Sequence, residues 1–252
     1  MNISFKNIDI IGNVIKENNL YKHYHYPEML NRYSSNFIAF KKMPTLHEFV
    51  GTEQFLRDFH LKHGQHHVEF VFPQDKKPTT ELDEYLNKQE YSIAKNELYT
   101  IEPSKFPEAR SIKDILVEQV GMETLKDYLL LQYEQDLKYG ENFAKEKQNL
   151  LKRNYDSGIV IQIIAYYKGS PAGAVDVILT EGIVEIDNLF VKEPFQRKGI
   201  GSQLQRFVMD SYKDNKVILV ADGDDTPREM YQRQNYKYVG FQYEALKVYE
   251  KE

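Results

Sequence analysis

The sequence predicts an α/β (α+β) protein of two domains, with a mixed central sheet flanked by helices. Three observations predict it. β-Branched apolar runs alternate with amphipathic stretches, turn signals separate them, and two prolines lie close together in the segment 102–107. At 252 residues the chain also exceeds the usual domain size of about 100 to 200 residues. We place the boundary in the proline segment, which gives domains at residues 1–105 and 106–252.

The first domain has one clear strand and one clear helix. Residues 68–72 form a β-like apolar run that ends at Pro73. Thr79 or Thr80 can cap a helix that extends through Leu86, and residues 91–101 return to a strand-like pattern.

The second domain begins with two helical stretches and continues with an antiparallel meander. Turn signals at 168–171 and 180–182 separate the first three strands. The predicted order is α-α-β-β-β-α-β-α-β-β, with elements at 122–139, 140–154, 159–167, 172–179, 183–191, 199–212, 217–221 and 226–234, and closing strands within 238–249.

A short internal similarity connects the two halves. Residues 86–91 align with residues 231–236, and each segment follows a strand and a helix. One interpretation is that the first domain is a degenerate copy of the second. The other is that two unrelated helix ends share a few residues.

Composition restricts the chemistry and the partners. The net charge of -5 offers no general attraction to nucleic acid or to anionic lipid. The absence of cysteine removes disulfides, thiolate metal sites and a cysteine nucleophile. No apolar run is long enough for a membrane helix, and the N-terminus lacks a signal-peptide pattern. We therefore expect a cytoplasmic protein with neither a nucleic-acid nor a membrane partner.

The segment 196–201, Gln-Arg-Lys-Gly-Ile-Gly, lies between a predicted strand and a predicted helix. A helix N-terminus offers unpaired N–H donors and partial positive charge, and glycines let the backbone approach an anion. The segment lacks the Gly-Lys-Ser/Thr ending of nucleotide loops and the glycine spacing of dinucleotide folds. It fits a pyrophosphate site, although two glycines beside basic residues also occur in ordinary solvated turns.

The stretch 189–204 closely resembles the signature of the GNAT (GCN5-related N-acetyltransferase) superfamily. That family's loop reads [QR]-x-x-G-x-[GA], and Gln196, Gly199 and Gly201 match it. A second signature is similar to residues 224–231, where the family carries a tyrosine near the cofactor sulfur. The family usually has Gly-Phe where Asn235 and Tyr236 stand, and asparagine where Asp224 stands. The resemblance covers roughly residues 108–250 and implies the GNAT fold.

The resemblance implies that acetyl-CoA is the cosubstrate and that an amine attacks its thioester directly. The acceptor would be a small molecule or a protein amine, and a second copy of the chain is a candidate partner. The residues that the resemblance assigns to the cofactor are Leu189, Phe190, Val191, Gln196, Arg197, Lys198, Gly199, Ile200, Gly201 and Ser202.

Three residues are candidates for the proton transfers. All seven histidines lie at or before His67, so the second domain must use a carboxylate, a tyrosine or water as base. Glu185 and Asp187 alternate on one strand that leads into the loop, although they could equally form a solvent-facing acidic edge. Tyr231 occupies the family position of the acid, although one of nineteen tyrosines could also simply pack in a core.

Two histidine-rich segments of the first domain allow more than one interpretation. His60, His63, His66 and His67 invite a metal site, but Gly64 and Gln65 interrupt the spacing, so we expect surface histidines and no metal. The segment 21–26, Tyr-Lys-His-Tyr-His-Tyr, could line an acceptor cleft or pack in a core.

Two functional hypotheses follow from these patterns. The first is an enzyme that acetylates a primary amine. The second is a non-catalytic acyl-CoA-binding or regulatory module that retains the GNAT fold without its chemistry.

Overall fold

The computed structural model describes residues 2–108, 112–223 and 227–249 of the chain. Its strands and helices, in chain order, are β1 (Asn13–Glu17), β2 (Tyr21–His25), β3 (Phe37–Phe40), α1 (Leu46–Lys62), β4 (His67–Val71), α2 (Thr80–Lys88), β5 (Ser92–Ile101), β6 (Ile115–Gln119), α3 (Leu125–Asp136), α4 (Glu141–Ser157), β7 (Val160–Tyr167), β8 (Ser170–Thr180), β9 (Ile183–Val191), α5 (Ile200–Ser211), β10 (Lys216–Asp222), α6 (Pro227–Arg233) and β11 (Lys237–Val248).

The chain forms two compact units that are not simply consecutive. The first unit contains Met1–Leu98 together with Ala221–Arg228 and Val239–Glu252, and the second contains Tyr99–Val220 and Glu229–Tyr238. The domain boundary near residue 105 stays a prediction, because compact units that are defined by contacts need not coincide with domains that are defined by sequence.

The first unit is a mixed sheet with strand order β1-β2-β3-β4-β11-β5. Strands β3 and β4 are parallel, and β11 is antiparallel to β4. Helices α1 and α2 cover one face, where Phe49 and Leu56 of α1 and Leu82 and Leu86 of α2 pack with Phe70. Burial of these side chains supplies the main stabilising free energy of the unit, at about 25 cal/mol per Å² of apolar surface.

The second unit places its helices on both faces of a sheet with strand order β10-β9-β8-β7-β6. Strands β6 to β9 form an antiparallel meander, and β9 and β10 are parallel. Helices α3 and α4 pack on one face, where Tyr128, Leu131 and Leu151 contact Ile164 and Ala174.

Helix α5 covers the opposite face of this sheet and contacts β7, β8 and β9. Its buried side chains Ile200, Leu204 and Val208 recur at three- and four-residue spacing, as an amphipathic helix requires. The N-terminus of α5 lies near the end of β9, and the predicted loop connects the two.

The predicted elements of the second half are confirmed, with two differences. Strand β6 is an additional strand; its short, partly exposed sequence has no clear two-residue alternation. The closing segment is the single strand β11 rather than several strands, although it contains Gly240. A Cβ on Gly240 would lie 2.6 Å from the Oδ1 atom of Asp75, so this glycine permits a close approach and does not break the strand.

The two halves repeat one order of elements, β-β-β-α-β-α-β, from β1 to β5 and from β7 to β11. In both copies the third and fourth strands are parallel. The similar segments 86–91 and 231–236 also have the same geometry. Their fifth residues, Glu90 and Asn235, are left-handed with φ of 58° and 66°. The next N–H donates to the carbonyl of the segment's first residue, at 3.0 Å in both copies.

Candidate active site

Strands β9 and β10 separate part-way along their length. Their pairing extends from Ile183 opposite Lys216 to Ile186 opposite Leu219. Strand β9 continues to Val191, still paired on its other side with Gly173 of β8. Over the described residues, the last five positions of β9 therefore do not pair with β10. Their backbone forms a free edge on that side of the strand. Such an edge offers N–H and C=O groups to an extended ligand.

A β-bulge lies at the start of this free edge. Strand β8 places one residue, Val175, opposite two residues of β9, Asn188 and Leu189. Asn188 is left-handed, with φ of 50°, as the first residue of such a bulge often is. Because the bulge inserts one residue, Asp187 and Phe190 project to the same face although they are three positions apart.

The two predicted base candidates precede the bulge. Glu185 lies opposite Ile178 of β8 and is buried, with 7% of its surface exposed. Asp187 lies opposite Asp176 of β8 and is partly exposed. Being two residues apart on a regular strand, they share the face that α3 packs against. Their roles as bases stay predictions.

Four polar side chains form a closed hydrogen-bonded ring under the bulge. The Tyr128 hydroxyl donates to Oδ1 of Asp176 at 2.5 Å. Asn188 Nδ2 donates to Oδ2 of Asp176 at 3.2 Å and to Oε1 of Gln132 at 3.0 Å. Gln132 Nε2 completes the ring by donating to the Tyr128 oxygen at 3.1 Å. The ring joins α3, β8 and β9.

The carboxyl of Asp176 is the centre of this ring electrostatically. Burial raises its pKa from 3.8 to about 6. The hydrogen bond from Tyr128 lowers the pKa, the charge of Asp187 raises it, and Asn188 and Lys147 lower it. The carboxyl is therefore mainly ionised at neutral pH, and burial and Asp176 raise the pKa of Tyr128 well above its ordinary value.

Sequence reasoning did not single out the residues of the ring. A signal for Asp176 exists, because it is the one acidic residue in the apolar run 172–179. Tyr128 and Gln132 are four residues apart, which places them on one face of a helix. Asn188 has no signal of its own, since bulges are not visible in a single sequence.

The predicted phosphate loop connects β9 to α5. Leu189, Phe190 and Val191 end β9, Gln196 to Gly199 form the loop, and Ile200, Gly201 and Ser202 form the first turn of α5. Gln196 Nε2 donates to the Val191 carbonyl at 3.1 Å, which holds the loop against the strand end. Ile200 is 1% exposed, so its side chain packs in the interior and does not face a ligand.

The N-terminus of α5 has no side-chain cap. Gly199 occupies the capping position with φ of 86° and ψ of 0°, and Arg197 is also left-handed, with φ of 59°. The first-turn N–H groups and the helix dipole are features that would favour an anion at this end. Arg197 and Lys198 are exposed beside it, and Lys198 Nζ contacts the Pro194 carbonyl at 2.9 Å.

The corresponding helix of the first unit, α1, is closed by its own side chains. The Thr45 hydroxyl accepts from the Glu48 backbone N–H at 3.2 Å, and the Glu48 carboxylate accepts from the Thr45 backbone N–H at 2.9 Å. This capping box uses the donors that an anion would need and adds a negative charge. The N-terminus of α1 is therefore less favourable for an anion than that of α5.

Tyr231, the predicted acid, lies on α6 within a group of aromatic rings. Its ring centroid is 5.3 Å from that of Tyr99 and 5.4 Å from that of Tyr236. Burial raises the pKa of its hydroxyl, which therefore stays protonated at neutral pH. That state suits a proton donor, and its role stays a prediction. Asp224, at the start of the second family signature, lies outside the described residues.

The interpretation of the first-domain histidines as surface residues is wrong for two of them. His60 and His67 are 0% and 1% exposed, because α1 and the start of β4 pack together and the His60 ring contacts the His67 carbonyl at 2.6 Å. The segment 21–26 packs likewise, since Tyr21, His23 and His25 of β2 are buried. Within residues 2–108, 112–223 and 227–249, no group of three or more metal-ligating side chains could hold an ion.

Family comparison agrees with this geometry. Residues 123–248 match the family model described as Acetyltransferase (GNAT) domain. The chain belongs to the GNAT acetyltransferase family. Residues 3–99 match a second model, described as Domain of unknown function (DUF5613). No curated protein matches the chain.

Solved structures are similar to this chain over nearly its whole length. A functionally unknown conserved protein from Staphylococcus epidermidis ATCC 12228 is 34% identical, with a TM-score of 0.91 and 98% of each chain covered. A GCN5-related N-acetyltransferase from Kribbella flavida is 11% identical, with a TM-score of 0.60, covering 93% of this chain and 88% of its own.

A tandem GNAT protein from the clavulanic acid biosynthesis pathway is 10% identical, with a TM-score of 0.50, and the match covers 86% of this chain and 76% of that protein. Since this coverage exceeds the GNAT match at 123–248, the fold likeness reaches into the first half. Across the described residues of this GNAT protein, no helix has the length and apolar character needed to cross a membrane.

Proposed function

We propose that this GNAT protein transfers the acetyl group of acetyl-CoA to a primary amine by direct attack in a ternary complex. One observation carries the proposal: the uncapped N-terminus of α5 adjoins the free edge of β9. A Cβ on Gly201, in the first turn of α5, would lie 3.8 Å from Val191 at the end of β9. An anion-binding end and an extended-chain edge are thus adjacent, as a pyrophosphate joined to a pantetheine arm requires.

The loop and the end of β9 would bind different parts of acetyl-CoA. The N–H groups of Gly199, Ile200, Gly201 and Ser202 would meet the pyrophosphate, with Arg197 and Lys198 adding charge at the rim. The backbone of Leu189, Phe190 and Val191 would meet the pantetheine arm and the thioester. We assign the acetyltransferase domain to residues 106–252 and a degenerate copy to residues 1–105.

The reaction requires three things of the protein: deprotonation of the amine, stabilisation of the oxyanion and protonation of the leaving sulfur. A lysine-like ammonium, with pKa about 10.4, costs about 4 to 5 kcal/mol to deprotonate at neutral pH. Glu185, Asp187 or ordered water would take that proton. The amine nitrogen then attacks the thioester carbon, a C–N bond forms, and the carbonyl oxygen becomes an oxyanion. A backbone N–H of β9 would stabilise it by on the order of 3 kcal/mol.

The attacking nitrogen is positively charged in the intermediate and loses its second proton to water. Collapse of the intermediate then breaks the C–S bond and restores the carbonyl as a neutral amide. The sulfur leaves as a thiolate, and Tyr231 would donate its hydroxyl proton to give the CoA thiol. Burial raises the pKa of the Tyr231 hydroxyl, so the phenol carries its proton at neutral pH and has one to donate.

Thiol release tests the proposal. The full-length protein is mixed with acetyl-CoA and polyamines, amino acids, aminoglycosides or lysine peptides, and free CoA is measured with a thiol reagent. We expect release above background with at least one amine. Calorimetry with CoA is run in parallel, since binding without release for every amine would favour a non-catalytic acyl-CoA module. Absence of both binding and release would overturn the proposal.

A further inference from the structure

The ring of Tyr128, Gln132, Asp176 and Asn188 is an unusual feature for the interior of a helix–sheet layer. It lies beside the apolar cluster that α3 and α4 form on the sheet, and Tyr128, Gln132 and Asp176 are almost fully buried. Buried polar groups are unfavourable unless they are hydrogen-bonded. Here both oxygens of Asp176 and both functional atoms of Gln132 have partners, so the ring is satisfied within itself.

The ring holds the one strained residue of the free edge. Asn188 is left-handed, a conformation that is unfavourable for residues other than glycine, and it sits where β9 leaves the β10 ladder. Its side-chain amide is fixed at two points, by Gln132 of α3 and by Asp176 of β8. The orientation of the bulge is therefore set from two neighbouring elements rather than by β9 alone.

We infer that this ring is a positioning device: it fixes the bulge so that a backbone N–H just after Asn188 points at the thioester carbonyl. The inference rests on the proposed function. Asn188, Asp176, Tyr128 and Gln132 are positioning residues, because they act through the backbone of Leu189 and Phe190 and need not touch the substrate. A displacement of about 1 Å at such a donor can cost roughly 100-fold in rate.

Asn188→Gly is the variant that tests the ring. Glycine accepts the left-handed conformation without penalty, so the bulge can still form, but both hydrogen bonds to the ring are lost. Asn235→Gly is the matched control. Asn235 has φ of 66°, and its exposed side chain donates to the Lys105 carbonyl at 2.9 Å, so the same atoms are removed from a left-handed residue outside the ring.

Acetyl-CoA labelled with ¹³C at the thioester carbonyl provides a readout that needs no acceptor amine. A hydrogen bond to a carbonyl oxygen deshields its carbon, so the bound resonance should move downfield in the wild-type protein. In Asn188→Gly we expect that shift to return most of the way to the free value, while affinity for CoA stays within about threefold. Asn235→Gly should retain the wild-type shift.

Tyr128→Phe serves as a second variant in case Asn188→Gly unfolds, which thermal unfolding will reveal. It removes two bonds of the ring without touching β9, and it should reduce the same shift. With an acceptor amine in hand, kcat should fall about 10- to 100-fold in both variants at an almost constant KM for acetyl-CoA.

The outcomes separate the two proposals. A wild-type shift that persists in both ring variants overturns the positioning role and leaves the proposed function intact. A wild-type protein that does not bind acetyl-CoA overturns the proposed function and the positioning role together.

Discussion

Gly199 faces Ile112 so closely that a Cβ on the glycine would lie 2.8 Å from the Ile112 Cδ1 atom. Gly199 also has a positive φ of 86°. Gly199→Ala therefore has a conformational cost and requires the end of the Ile112 side chain to move aside, and we expect the strained residue to displace the first turn of α5. Affinity for CoA should fall at least tenfold when measured by calorimetry.

Gly158→Ala is the matched control for this prediction. Gly158 has φ of 65° at the end of α4, and no atom of the described residues lies within 4 Å of the position that its Cβ would take. It carries the conformational penalty, about 1 kcal/mol, without the contact or the site. Equal CoA affinities for the two variants would contradict the assignment of Gly199 to the phosphate loop.

Tyr231→Phe should separate catalysis from binding. The change removes the hydroxyl and keeps the ring packing against Tyr99 and Tyr236. We expect kcat to fall about 100-fold with CoA affinity unchanged, since a lost general acid typically costs 10² to 10⁴ in rate. Tyr238→Phe is the control, because Tyr238 is exposed. Full activity of Tyr231→Phe would remove Tyr231 from the mechanism.

Glu185→Gln and Asp187→Asn should distinguish the two candidate bases. The variant that removes the base should lose about 10² to 10⁴ in kcat/KM at neutral pH, while the other loses little. Activity of the affected variant should recover at high pH, because the acceptor amine then sheds its proton to solvent. Two active variants with ordinary pH profiles would point to ordered water.

Thr45→Ala tests whether the capped helix of the first unit is uninvolved in ligand binding. Loss of the cap on α1 should lower the free energy of unfolding by about 1 kcal/mol. CoA affinity should not change, whereas Arg197→Ala should weaken it. A comparable loss of affinity in both variants would show that α1 also supports a ligand.

The buried histidines of the first unit predict acid instability. Burial, together with the charges of His60 and His25, lowers the pKa of His23 to about 3, and burial lowers the pKa of His60 to about 4. Since unfolded histidine has a pKa near 6.5, the unfolded chain takes up protons first as the pH falls. Stability should be complete above about pH 6.5 and decline steadily down to about pH 3.

His23→Phe should reduce this pH dependence. Neither ring nitrogen of His23 has a hydrogen-bond partner within the described residues, and its ring already packs edge-on against Phe55 and Phe59. Thermal unfolding should show a larger gain over wild type at pH 5 than at pH 7.5. The control His47→Phe changes an exposed histidine and should leave the pH dependence as it is.

The second half was predictable because its signals are local. Strand β9 has the predicted bounds, Ile183–Val191, since its β-branched residues lie between two turn signals. The left-handed Asn235 fits the tolerance of asparagine for the conformation that glycine usually supplies. The family motif placed the loop between β9 and α5 for the same reason, because its residues are contiguous.

The features that were missed depend on contacts between distant residues. The bulge at Asn188 is defined by its register with β8, and the ring requires Tyr128 and Asp176, which are 48 residues apart. His60 and His67 resemble surface residues by composition, yet the packing of α1 on β4 buries them. Pairing between strands overrides local propensity in such cases.

The pairing of β11 with β4 also has a consequence for how this protein is made. Glu244 to Val248 pair with β4 inside a sheet that also contains Asn13 to Glu17, so the first unit draws on residues from far apart in the chain. During translation at about 5 to 20 residues per second, β4 leaves the ribosome many seconds before β11 does. In that interval β3 can pair with one side of β4, whereas the side that β11 later occupies has no strand to pair with.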